Sequence, residues 1–199
     1  VEQVLRGRPR SFDADAALSK ALTVFWEHGY EGASLALLTE AMGISRKSMY
    51  AAFGNKEDLF LKVLQVYEQG PGSYARDSVH APTALDVARA YLNGALEAGT
   101  QPGRPAGCLG VRAALAVGVT GENVQEILTS WRADNQAELR ARFERAIEQG
   151  DLPEDADADF IARYLTTVAD GISVQAQGGA TREALRRVVD TTLAHWPPA

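Results

Sequence analysis

Two adjacent cations, Arg46 and Lys47, sit between Ser45 and Ser48, with Tyr50 one turn further on. At 100° per residue, Arg46, Lys47, Tyr50 and Ala51 share one arc of a helix, and Met49, Ala52 and Phe53 share the other. A guanidinium, an ammonium, hydroxyls and a phenol on a slim helix are groups that can meet base edges and phosphates in a DNA major groove. Lys56 follows just after a Gly54-Asn55 turn signal. Taken alone, such a wheel fits any amphipathic surface helix. The elements around it decide the matter.

No other set of residues offers comparable chemistry. His28, His80 and His195 lie far apart, and none has metal-ligand spacing with another His, Cys or carboxylate. There is no Gly-rich phosphate loop and no nucleophile elbow, so the expectation is a non-enzyme with no catalytic residues, no metal and no cofactor. The carboxylate run at 154–159 reads as a solvated helix start. The lone Cys108 follows a Gly/Pro-rich loop at a helix start, where the helix terminus and Arg104 or Arg112 could lower its pKa. That permits a redox or electrophile switch, against the commoner role of a small buried hydrophobe.

The chain has 199 residues, 46% of them hydrophobic, enough for a sizeable core. No apolar run approaches the length that crosses a bilayer, and residues 1–12 lack the apolar stretch of a secretory signal. One cysteine excludes an internal disulfide and fits the reducing cytoplasm. The net charge is −6, yet through Tyr67 eight Lys/Arg balance eight Asp/Glu, whereas from Glu68 onward twelve meet eighteen. A neutral head with a local basic face, on an acidic body, is compatible with nucleic-acid recognition.

Apolar periods of three to four dominate and strand-like alternation is missing, which predicts an all-α fold. Asp13 caps a first helix that Gly29 closes; Ser34 caps a second ending at Gly43; Ser45 caps a third reaching about Phe53. Asn55, with Asp58 three residues on, opens a fourth helix in a variant of the capping box. Residues 69–82 read as a connection. Five longer helices follow, at about 83–98, 108–117, 122–149, 158–177 and 181–196, making about nine in all. The tight Gly43-Ile44-Ser45 link between two short helices matches a helix-turn-helix. The expected organisation is a three-helix DNA-binding head over 1–55 with a basic N-terminal arm. A linking helix over about 56–68 then begins a body over 56–199.

The stretches GRPRSFD, FWEHGYEGASL and LTEAMGISRKSMYAAFGNKEDLF together resemble the DNA-binding head of TetR-family transcriptional regulators, over about residues 8–67. The body matches only in helix number and order. The resemblance implies a homodimeric repressor on palindromic double-stranded DNA, released when a small-molecule effector binds the body. It places Arg46 and Lys47 where the family reads bases, with Ser45 and Ser48 beside them, and Tyr50 where the family contacts phosphate. Lys56 and Ser34, at helix N-termini, are further phosphate contacts. Arg8 and Arg10 belong to an arm that could enter a minor groove.

In the family the last two helices pair with their symmetry mates. That implies a dimer surface from Phe160, Ile161, Tyr164, Leu165, Val168, Ile172, Leu185, Val188, Val189, Thr192, Leu193 and Trp196, with ordinary intrachain core as the competing role. A pocket between body helices would be apolar with a few polar anchors. Its candidates are Tyr91, Leu92, Cys108, Arg112, Leu115, Trp131, Asn135, Phe143, Tyr164 and Val168; Arg112 and Asn135 each interrupt an apolar pattern. The alternative is a helical small-molecule-binding or scaffold protein that does not touch DNA.

Overall fold

The computed structural model describes residues 12–115 and 122–197; of Leu115 and Glu122 it describes the backbone alone. Among the described residues the secondary structure is entirely helical, in ten segments. The head holds α1 (Ala14–Gly32), α2 (Leu35–Met42) and α3 (Arg46–Phe53), and α4 (Lys56–Gln69) leads out of it. The body holds α5 (Tyr74–Ser78), α6 (Ala84–Thr100), α7 (Leu109–Leu115), α8 (Glu122–Glu148), α9 (Ala158–Gln177) and α10 (Arg182–Ala194). The fold class is the one the sequence predicts. The tenth segment is α5, a single short helix inside the expected connection.

Local chemistry explains the boundaries. Asp13, Ser34, Ser45, Asn55, Thr83, Asp157 and Thr181 each cap a helix by accepting a backbone N–H two or three residues on. Asn55 and Asp58 complete a reciprocal capping box. Gly54 has φ +84°, and a Cβ there would run into the Asp58 carboxyl, so the box and the turn both need glycine. Gly29, at φ 69° and ψ 178°, kinks α1 rather than ending it, and helical structure resumes to Gly32. The last helix stops at Ala194, short of the expected Trp196.

Two hydrophobic cores form. The first unites α1–α4 with Leu109 and Ala113 of α7 and Val124 and Leu128 of α8. Its centre is aromatic: Phe60 meets Phe25 and Tyr30 edge-on, each at 5.2 Å between centroids, and Trp26 meets Tyr67 at 5.1 Å. The second core joins α6, the later part of α8, α9 and α10 around Leu92, Leu96, Phe143 and Leu165. Trp26 of α1 donates its indole N–H to the Gly107 carbonyl at 3.0 Å, tying the head to the loop before α7.

Candidate nucleic-acid interface and body cavity

Helix α3 divides as its wheel predicts. Met49 and Phe53 are buried, while Arg46, Lys47, Ala51 and Tyr50, 47% exposed, face solvent. The turn before it is held by Gly43 in the left-handed region, φ 68°, whose N–H bonds the end of α2. Ser45 Oγ accepts the Ser48 N–H at 3.1 Å and lies 3.0 Å from Ser48 Oγ, so both hydroxyls sit at the start of α3 beside the cations. Ser34 Oγ accepts the Leu37 N–H at 3.2 Å, with its residue exposed at the start of α2. Lys56 lies half-buried at the start of α4, its ammonium 4.5 Å from the centre of the Tyr30 ring. Burial lowers its pKa, and Glu31 partly opposes that. The cation–π contact thus holds the ammonium just beyond α3, where the α4 N-terminus adds its own partial positive charge. Arg8 and Arg10 lie outside the described residues.

A cavity of about 260 Å³ opens at the seam between the two cores. Tyr67 of α4, Cys108 before α7 and Trp131 of α8 face it from the first core, and Tyr74 and Tyr91 from the second. Asn135 Nδ2 donates to the Tyr91 hydroxyl at 2.9 Å across it. The Tyr74 and Tyr91 rings meet edge-on at 5.6 Å. Glycines make this packing possible: a Cβ at Gly94 would strike the Tyr74 ring, and one at Gly110 would strike Trp131. Trp131 also donates its indole N–H to Glu68 near the end of α4. Burial pushes the hydroxyls of Tyr67 and Tyr74 well up and raises Tyr91, so all three stay protonated donors at any ordinary pH. Asp170 is open to the cavity yet ringed by protein; that loss of bulk solvent raises its pKa, and Arg132 pulls it back.

Four of the sequence candidates therefore line this cavity: Tyr91, Cys108, Trp131 and Asn135. Leu92 and Phe143 are fully buried in the second core. Val168 packs against that core, Tyr164 stacks obliquely on Phe160 at 6.3 Å, and Arg112 is half-buried on α7. The Leu115 side chain lies outside the described residues. Tyr67, Tyr74 and Asp170 face the cavity without a sequence signal, since each sits in an ordinary apolar stripe, a connection or a helix interior.

The Cys108 thiol differs from the expectation. Burial raises its pKa, and the Tyr67 hydroxyl and the N–H groups of Gly110 and Val111 offset this only in part. A helix terminus lowers a thiol pKa when water also reaches the sulfur; here desolvation is the larger effect.

In α9 and α10, Ile161, Leu165, Ile172, Leu185 and Val189 are buried in the chain's own core, and Thr192 is buried with its hydroxyl donating to the Val188 carbonyl at 2.9 Å. Those side chains are not a surface that a second copy could meet. Leu193 and Trp196 pack on the same core, Trp196 5.7 Å from Phe143. Phe160, Val174 and Val188 remain exposed, each by more than 40%.

Among the described residues no cluster of His, Cys, Asp and Glu could hold a metal ion, and no helix is long and apolar enough to cross a membrane. The family model for bacterial regulatory proteins of the tetR family matches residues 17–63, and that for the tetracyclin repressor-like C-terminal domain matches residues 84–192. The HTH-type transcriptional repressor ComR of Escherichia coli (strain K12) is 34% identical over 194 residues, 96% of this chain and 92% of that protein. The TetR family regulator CifR, solved as a cysteine mutant complexed with 26-base-pair double-strand operator DNA, is 44% identical with a TM-score of 0.89, covering 96% of this chain and all of that one. A regulator from Rhodococcus sp. RHA1 is 37% identical with a TM-score of 0.63, over 94% of this chain and all of that one.

Proposed function

Because the chain belongs to the TetR family and is a DNA-binding transcriptional regulator rather than an enzyme, we propose which of its residues hold DNA and how the body lets go. Residues 1–55 form the DNA-binding unit and 56–199 the effector-binding and dimerisation unit, with α4 as the element common to both. Arg46 and Lys47 read base edges from α3, Ser45 and Ser48 steady its entry, and Tyr50, Ser34 and Lys56 hold phosphates. Arg8 and Arg10 add minor-groove contacts. The single observation that carries this reading is the exposed arc of Arg46, Lys47 and Tyr50 on a helix whose other arc buries Met49 and Phe53.

The operator is palindromic and the chain acts as a homodimer, because one head offers too few phosphate contacts for tight binding. The dimer surface is the exposed remainder of the last two helices, centred on Phe160, Tyr164, Val174 and Val188. The chain acts as a repressor, and an effector in the seam cavity releases it. Tyr67 and the Glu68 partner of Trp131 both lie on α4, whose N-terminus carries Lys56, so a ligand that moves the cavity wall moves a proposed DNA contact.

The test is an electrophoretic shift with the DNA upstream of the protein's own gene. Wild type retards that fragment but not a scrambled one, and Arg46→Ala or Tyr50→Ala abolishes the difference. Retention of full specific binding by both variants overturns the assignment.

A further inference from the structure

We propose that the seam cavity takes a small uncharged organic molecule whose polar atom is a carbonyl oxygen, held between the Tyr67 and Tyr91 phenols. This rests on the reading of the body as an effector-binding unit and names the chemical class of its ligand.

Charges of both signs already stand around the cavity. Arg163 pairs with Asp159 at 3.1 Å, and Gln136 reaches the same carboxylate at 3.4 Å. The Arg132 charge acts on Asp170 without a direct ion pair to it. Thr166 donates its hydroxyl to the Arg163 carbonyl at 3.0 Å. An anion entering would meet Asp170, and a cation would meet Arg132 and the phenol donors.

Two donors left without a strong acceptor are neutral. The Tyr67 hydroxyl is buried with no hydrogen-bond partner of normal geometry; its polar neighbours are the Cys108 sulfur, a weak acceptor, and the Leu109 N–H, which can only donate. The Tyr91 hydroxyl accepts from Asn135, which turns its own proton away from that amide, and no other described residue accepts it. A buried donor without an acceptor is unfavourable until a ligand supplies one. Two phenol protons, kept by desolvation, call for an oxygen with two lone pairs and no proton of its own, which a carbonyl is. The aromatic lining, Tyr74 edge-on to Tyr91 together with Trp131, suits a flat ring beside that oxygen. A cavity of about 150 Å³ accommodates benzene, so 260 Å³ accommodates a ring carrying a short polar group.

The experiment is isothermal titration calorimetry of the full chain, without DNA, against four probes of one shape: acetophenone, ethylbenzene, benzoate and benzylammonium. Acetophenone is expected to bind at least about tenfold more tightly than each of the others. Tyr67→Phe and Tyr91→Phe are each expected to cut its advantage over ethylbenzene by about fivefold, one neutral hydrogen bond's worth. Thermal unfolding of both variants confirms that they are folded. Tighter binding of benzoate or benzylammonium, equal binding of ethylbenzene, no binding of any probe, or an unchanged advantage in both variants overturns the proposal. Because the titration contains no DNA, failure here with operator binding intact removes only the ligand class. Loss of operator binding with acetophenone still bound removes the regulator reading instead.

Discussion

Helix α3 and the wall of the seam cavity both present hydrogen-bond donors, and they hold them in opposite ways. On α3 the donors are charged, exposed and placed by one short helix, with Met49 and Phe53 as anchors and Ser45 as cap. In the cavity the donors are neutral phenols, buried and brought together from α4 and α6. A charged donor in water has little to lose while unbound, so it can wait exposed for a polyanion. A buried phenol has already given up its water, so an acceptor that enters meets a donor with no solvation left to lose. The first arrangement suits a long, strongly charged partner met at the surface, the second a small neutral one that must be enclosed.

That contrast can be broken by mutation. Phe60 is wholly buried beneath the head, meeting Phe25 and Tyr30. Phe60→Ala is expected to cost about 3–5 kcal/mol, read by denaturant unfolding, and to take DNA binding with it. Gly54→Ala forces a Cβ into the left-handed region and into Asp58, and is expected to cost about 1–3 kcal/mol, read as a drop in melting temperature. Asn55→Ala removes the side-chain half of the capping box and should cost about 1 kcal/mol by the same measurement. Tyr67→Phe sharpens the comparison from the other side. Removing a hydroxyl that has no proper partner should leave unliganded stability within about 0.5 kcal/mol of wild type. A loss of 2 kcal/mol or more, read by denaturant unfolding, would mean that this phenol is satisfied within the protein and is not waiting for a ligand.

The sequence made the head legible because its determinants are local. Ser45 capping α3, Asn55 with Asp58, and Gly43 at positive φ each act within four residues, so spacing alone reveals them. The arc of Arg46, Lys47 and Tyr50 follows from the same periodicity. The body was legible as helices and less so as a site. An apolar stripe says that a face is buried, not against what: Ile161, Leu165 and Val189 face their own chain, while Phe160 and Val188, on the same two helices, do not. The seam cavity draws on residues from Tyr67 to Asp170, on elements far apart in the chain. No local pattern marks Tyr67 as different from any other aromatic in a helical stripe. Helix α5 leaves no signal in the sequence because five residues between glycines and a proline carry less than two turns of periodicity.

The central claim is that the exposed arc of α3 reads DNA sequence and does not merely attract it. The direct measurement is the ratio of specific to nonspecific affinity, by fluorescence anisotropy at several salt concentrations, for wild type and Arg46→Ala. Loss of one base-reading arginine should lower the specific affinity by about 10- to 100-fold, from the roughly 1–3 kcal/mol of a bidentate contact, and leave nonspecific affinity nearly unchanged. Equal loss on both DNAs, with an unaltered ratio, would show that Arg46 contributes only charge and would contradict the account.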